Sequence, residues 1–394
     1  MINSYKFTHS QKEILKNIQK DFYMWDLGEL KDYFPNELLE KNLNPKELAK
    51  KIFKHYQNLH NDFKHKRIDY SDFKNDYKAQ KFKIESKQKE HLGLGFCPVA
   101  SEGTRCCNLY TLDAVESCGF DCSYCSIQSF YNQDTIVFDK TFKDKLKNLK
   151  LDKNIIYHIG TGQSSDSLMW GNKEGVLEAL FEFANKNPNV ILELKSKSNN
   201  IKFLLENEIP KNVITTWSLN PQVVIDNEEH LTASLKERIE AAKQIEQKGN
   251  LVGFHFHPII AYKGYLSDYE KIYKELINNF NPKFVALVSM GTLTFIKPVI
   301  KKLRDRGLKT KVTQIPMREV NGKRTYDYKT KLEMFKHCYN SFKPWHGKVF
   351  FYMCMEEHSL WKEVFGYEYA SNNQFENMMN SFYMQKINSL KDNS

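Results

Sequence analysis

No run of this chain stays apolar for the ~20 residues that a helix needs to cross a bilayer, so a membrane-spanning helix is not expected. The first residues, MINSYKFTHSQKEIL, lack the apolar stretch of a secretory signal. Internal repeats and long low-complexity segments are missing as well, which argues against a repeat architecture. The cysteines do not form a spread framework of the kind that staples secreted domains. They stand at 97, 106, 107, 118, 122, 125, 338 and 354, six of them within 29 residues, and none between Cys125 and Cys338. In a chain without a secretory signal, such a cluster points to metal or redox chemistry in a reducing compartment, and the expected location is the cytoplasm. Also lacking is a second C-x2-C pair, the usual mark of a zinc ribbon.

What is present suffices for a large core. Of 394 residues, 41% are hydrophobic and 13% aromatic, enough for one large domain with an added segment or for two domains. The formal charge is +10, compatible with a nucleic-acid partner and equally with a solvated surface rich in lysine. Residues 1–91 hold 19 Lys or Arg against 14 Asp or Glu, half of that excess. Within them, Lys66, Arg67, Tyr70, Phe73, Lys74, Tyr77, Lys81 and Phe82 interleave basic and aromatic side chains. Such a pattern suits a surface that tracks a nucleic-acid strand, or a helix that packs its aromatics on a neighbouring domain.

The hydrophobic periodicity divides the chain into a helical segment (1–91), a main domain (92–345) and a C-terminal extension (346–394). In the first, Leu15, Ile18 and Phe22, then Leu38, Leu39 and Leu43, recur at helical spacing, and Pro45 can open a helix ending near His60. In the second, short apolar or β-branched runs predict strands at 109–115, 155–159, 190–194, 213–219, 251–257 and 284–289. Helical patterns follow at 173–185, 201–206, 232–247, 267–278 and 293–306. Strand then helix, repeated about six times, predicts an α/β fold: a parallel, partial (β/α)6 TIM-type barrel. A later strand at 348–355 and helices at 357–364 and 375–387 make up the extension.

The chemistry concentrates just after the first of these strands. Cys118-Gly119-Phe120-Asp121-Cys122-Ser123-Tyr124-Cys125 has the spacing C-x3-C-x2-C. Three thiolates this close can bind three irons of a cubane cluster and leave the fourth open to an exchangeable ligand. Tyr124, just before the last cysteine, can shield such a cluster from water. A zinc site that recruits Cys106 or Cys107 as fourth ligand is the competing reading, and would make the chain a zinc-stabilised binding module. In a parallel barrel the active site gathers at the C-terminal ends of the strands. Those ends here are polar: Gly160-Thr161-Gly162-Gln163, Lys195 and Lys197, Ser218, His255 and His257, and Ser289. Glycines let a backbone approach a ligand closely, and the cations suit a carboxylate.

The cysteine spacing in its context resembles the radical S-adenosylmethionine (SAM) superfamily. That resemblance implies a [4Fe–4S] cluster on Cys118, Cys122 and Cys125, whose open iron chelates SAM and whose electron cleaves it to a 5′-deoxyadenosyl radical. More narrowly, residues 97–365 are similar to the spore photoproduct lyase family, through the segments CCNLY, GTGQSSDSL, ELKSKSNNI, TTWSLNPQVV, LKERIEAAKQI, GFHFHPII and YMCMEEHSLWKEVFG. By that likeness Lys197 and Ser218 contact SAM, Gly160, Thr161 and Gly162 form its turn, and the substrate is a pyrimidine photoproduct or another base in DNA. An external electron donor such as flavodoxin or ferredoxin is implied too, and no membrane. The chain departs from the family in two places. Gln163 stands where the family's repair enzymes carry a hydrogen-returning cysteine, and Ser126 follows the last cluster cysteine where they carry a second tyrosine. Tyr124 and Gln163 are therefore the catalytic positions to examine, and a peptide or small molecule is the alternative substrate.

Overall fold

The computed structural model describes residues 4–66, 68–73, 75–97, 103–130, 134–320 and 322–391, so Arg67 and Lys74 lie outside the described residues. Its centre is one eight-stranded sheet whose strands lie side by side in chain order. They are β1 (Gly93–Phe96), β2 (Tyr110–Asp113), β3 (Tyr157–Thr161), β4 (Val190–Ser196), β5 (Val213–Ser218), β6 (Leu251–Ile259), β7 (Val285–Thr292) and β8 (Phe350–Met353). From β2 to β8 every neighbouring pair is parallel, and β1 is an antiparallel edge on β2. Every residue of β5 and β7 is buried, as a parallel strand covered on both faces requires.

Helices cross between the strands: α3 (Val176–Lys186), α4 (Lys202–Glu206), α5 (Leu235–Gln247), α6 (Tyr265–Asn279), α7 (Lys297–Arg306) and α8 (Tyr328–Ser341). Local sequence sets their ends. Ser234 caps α5 and Glu237 reaches back to it, a reciprocal capping box. The helix expected from 293 starts only at Lys297, because Pro298 fits a first turn and not an interior; the β-branched Thr294–Ile296 before it pairs as a strand with Lys323–Thr325.

The six strands expected in the main domain are all present, and the seventh, expected in the extension, completes the same sheet through pairs from Leu287↔Phe350 to Met290↔Met353. After it come α9 (His358–Phe365) and α10 (Asn372–Lys391). α10 lies along the seam between the sheet's two ends. Its Phe375 and Tyr383 pack on Phe350 of β8, while Tyr383 also meets His158 of β3 and Glu376 accepts from Asn108 beside β2.

At the other end of the chain, α1 (His9–Met24) and α2 (Pro45–His65) follow the expected periodicity. Two expectations fail there. Leu38 sits in a short 3-10 turn, with Leu39 exposed, since Pro35 and the asparagines around it interrupt a helix. Beyond α2 the chain runs extended instead of helical, and Lys83–Lys87 pairs in parallel with Thr135–Asp139. The aromatics of this stretch turn inward: Tyr70 and Phe73 are buried, Phe82 packs on Trp170, and Tyr77 stacks on His230 at 3.9 Å. They are thus occupied by packing within the chain. No helix among the described residues is long and apolar enough to cross a membrane.

Candidate active site

A cavity of about 270 Å³ opens at the C-terminal ends of the strands. Gly160 and Thr161 of β3, Glu193 and Lys195 of β4, and His255 and His257 of β6 form its near wall. Gly291 of β7, Tyr352 of β8 and Phe375 of the seam helix complete the lining. Strands from both halves of the sheet share this one space, so the sheet curls around it, as a partial barrel does.

The cysteine loop lies against this mouth. Ser117, just before Cys118, holds φ at 69°, a left-handed conformation that a non-glycine residue adopts only under constraint. Asp121–Cys122 then pairs antiparallel with Glu229–His230, which fixes the middle of the loop. Cys122 is buried, Cys118 and Cys125 are half-buried, and Cys125 reaches the cavity. Burial pushes the Cys122 thiol up, while the charges of Lys197 and Arg238 beside it act in the opposite direction. Cys118 and Cys122 each lie within electrostatic range of Cys125. Among the described residues no three His, Cys, Asp or Glu side chains are grouped to hold one metal ion.

Tyr124 is clamped from behind. Its hydroxyl donates to the Glu229 carboxylate, which also takes Asn220 Nδ2 at 2.7 Å and faces Arg238 Nη2 at 2.6 Å. Arg238 donates onward to the Ser218 carbonyl at 2.9 Å, so the end of β5 and the cluster loop share one buried anchor. Burial works against Glu229's charge, but Arg238 and Lys197 keep its pKa below the usual carboxylate value. The Lys197 ammonium stands 5.5 Å from the Tyr124 ring centre. Lys197 is held through its backbone: Asp166 accepts from its N–H at 2.7 Å and from Ser196 Oγ at 2.8 Å.

The structure places the other expected site residues unequally. Gly160, Thr161, Gln163 and Tyr124 line the cavity with Cys125. Gly162 does not. It is needed for packing, because its φ is +82° and a Cβ there would stand 2.7 Å from Ser167 Oγ and 2.9 Å from the Lys195 carbonyl. Ser218 is buried beside His255, outside the cavity lining. Cys97, Cys106, Cys107 and Cys354 also line the cavity. Cys106 and Cys107 lie side by side and interact, so that Cys106 is the thiol held low while Cys107 is raised. Glu229 and Arg238 escape a sequence reading of the site. Arg238 did carry a signal: it falls on the apolar stripe of α5 with Leu235, Ile239 and Ala242.

A curled parallel sheet with a C-x3-C-x2-C loop after its first parallel strand defines the radical SAM class. The family model described as spore photoproduct lyase matches residues 32–343, and the chain belongs to that family. A spore photoproduct lyase of Clostridium acetobutylicum is 26% identical over 179 residues, 44% of this chain and 53% of that protein. The chain thus matches about half the length of that curated relative. Among solved structures, a spore photoproduct lyase double mutant with bound AdoMet and dinucleoside spore photoproduct superposes with a TM-score of 0.57 at 18% identity, over 68% of this chain and 81% of that one. Spore photoproduct lyase complexed with dinucleoside spore photoproduct gives 0.56 at 18% identity over the same shares. At this identity the two structures speak for the fold.

Proposed function

We propose that this protein is a radical SAM lyase that acts on a modified pyrimidine base in DNA. The observation that carries the reading is that the loop bearing Cys118, Cys122 and Cys125 meets the strand-end cavity, with Tyr124, Cys125 and Ser126 lining it. The donor set fits a cluster: three thiols on one pinned loop, with Lys197 and Arg238 close enough to offset thiolate charge. These cysteines would hold the [4Fe–4S] group, which together with SAM supplies a 5′-deoxyadenosyl radical when bound. Gly160 and Thr161 would give SAM its turn, and Lys197 a charge-assisted bond to its carboxylate. Ser218 would act from behind through Arg238. The Tyr124 ring excludes water from the loop, and Glu229 fixes that ring. Dinucleoside spore photoproduct, bound by the similar solved structure, is the first substrate to try.

A second reading, a peptide or small-molecule substrate, is favoured by Gln163 on the cavity wall. An amide N–H bond is too strong to return a hydrogen atom to a carbon radical, so turnover of spore photoproduct would need Cys97, Cys106, Cys107 or Cys354 in that part. Little or no turnover of that lesion is expected. Anaerobically reconstituted protein should be brown, with broad absorbance near ~400 nm and about four irons per chain. Once reduced, it should release 5′-deoxyadenosine from SAM. Lys197→Ala should weaken SAM binding and keep the iron content. A colourless protein holding one tight zinc would overturn the reading in favour of a zinc-stabilised module.

A further inference from the structure

Glu193, His255, Ser289 and His257 form one hydrogen-bonded chain along the cavity wall. Glu193 is 3% exposed. Its carboxylate meets His158 Nε2 at 2.9 Å, His255 Nε2 at 2.6 Å and Thr216 Oγ1 at 2.9 Å. Burial would raise its pKa, but the two histidines hold it well below the carboxylate range. An ionised carboxylate can only accept hydrogen bonds, so both imidazoles must donate from Nε2. His158 Nδ1 has no hydrogen-bond partner. His255 is left with a bare Nδ1, because burial pushes its pKa down to about 4.

Ser289 Oγ lies 2.5 Å from His255 Nδ1 and 3.0 Å from His257 Nε2. The three groups are brought together by register, since His255 pairs with Ser289 across β6 and β7, and His257 follows two residues later on the same face. The serine must donate to the bare His255 Nδ1 and can then only accept from His257. His257 thus also carries its proton on Nε2 and keeps Nδ1 bare. The direction of the whole chain follows from the one buried carboxylate.

We propose that His257 is a substrate-positioning residue: its Nδ1 accepts a hydrogen bond from an N–H group on the substrate bound in this cavity. Ser289, His255 and Glu193 hold the ring in the tautomer that leaves Nδ1 bare. Lys195, on the same cavity wall, repels positive charge from His257 and so favours the neutral ring. This deepens the nucleobase reading and rests on it for the group concerned, the imide N–H of a pyrimidine ring.

Two measurements test it. Nitrogen-15 NMR of the histidine-labelled full chain should show His255 and His257 both protonated on Nε2. In Ser289→Ala, His257 should lose that preference while His255 keeps it. The affinity for dinucleoside spore photoproduct should fall about 10- to 100-fold in His257→Leu, which leaves the substrate N–H without its acceptor. The N3-methylated dinucleoside should bind wild type and variant equally weakly. A proton on His257 Nδ1, or unchanged affinity in His257→Leu with a normal melting curve, would overturn the proposal. Failure of the wild type to bind the dinucleoside would overturn the substrate class, and the NMR pattern alone would then decide whether the tautomer chain exists.

Discussion

Glu228 and Glu229 are neighbours in sequence with opposite electrostatic surroundings. Both are buried, at 0% and 1% exposure. Burial lifts Glu228 to about 7, although Tyr70, Ser123, Thr310 and the Lys311 N–H all donate to it. Glu229 is held low because Arg238, itself fully buried, faces it at 2.6 Å. Removing one partner of such a pair leaves a charge with no counterion inside the protein, which costs about 3–5 kcal/mol. Glu229→Gln is therefore expected to destabilise the protein by about 3 kcal/mol, since glutamine keeps the acceptor for Tyr124 but not the negative charge. Denaturant unfolding would measure this, and a loss under about 1 kcal/mol would show that the carbonyls around Arg238 suffice to hold it. Lys197 and the glycine turn could be located in the sequence because a parallel fold sends strand ends to one place. Glu229 and Arg238 could not, because they come from separate elements that only tertiary packing brings to Tyr124.

At the scale of elements, the seam helix α10 completes what the strands begin. Phe375 is 1% exposed, touches Phe350, Tyr352, Trp361 and Tyr369, and lines the cavity. Truncating a buried phenylalanine removes its transfer free energy and leaves a void, together about 3–5 kcal/mol. Phe375→Ala should lower the unfolding free energy by that amount and widen the cavity. A melting temperature within about 2 °C of wild type would show that α10 is peripheral to the fold. The sequence placed this helix within a few residues, yet its aromatic and polar mixture did not reveal what it covers. The strands of the main sheet were legible because each is a short apolar run between helical patterns. The segment from 66 to 91 misled for the same reason in reverse. Its aromatics recur at irregular intervals and are buried by the cluster loop and the sheet, not by their own helical face, so periodicity carried no information about them.

For the whole molecule, histidines rather than carboxylates should govern the first loss of stability on acidification. His60, His230, His255 and His257 all have their pKa values lowered, in each case mainly by burial, with His230 and His255 at about 4. A histidine kept neutral in the fold binds a proton only in the unfolded chain once the pH drops below the ordinary imidazole value. Between that value and the folded one, the unfolded state holds more protons, so stability must fall as pH falls. The slope is about 1.4 kcal/mol per pH unit for each histidine charged only when unfolded. Glu228, raised to about 7 in the fold, gains its proton there first and offsets about one of the four histidines down to the ordinary carboxylate value. Asp21 adds a later loss. It is 1% exposed and joins α1 to α2 through His60 at 2.7 Å and to α7 through Arg304 at 2.6 and 2.7 Å. Burial opposes its charge, but those two partners hold its pKa below the usual carboxylate value. Its contribution is complete above about pH 4 and disappears as pH falls through its lowered value. The melting temperature should thus decline from pH 7 to pH 5, before ordinary carboxylates titrate, and more steeply below pH 4. His255→Gln should flatten the upper part of the profile and leave the lower part intact, whereas Asp21→Asn should lower stability at every pH above 4 and flatten only the acid end. A profile level between pH 7 and 5 in the wild type would show that these histidines are charged in the folded protein.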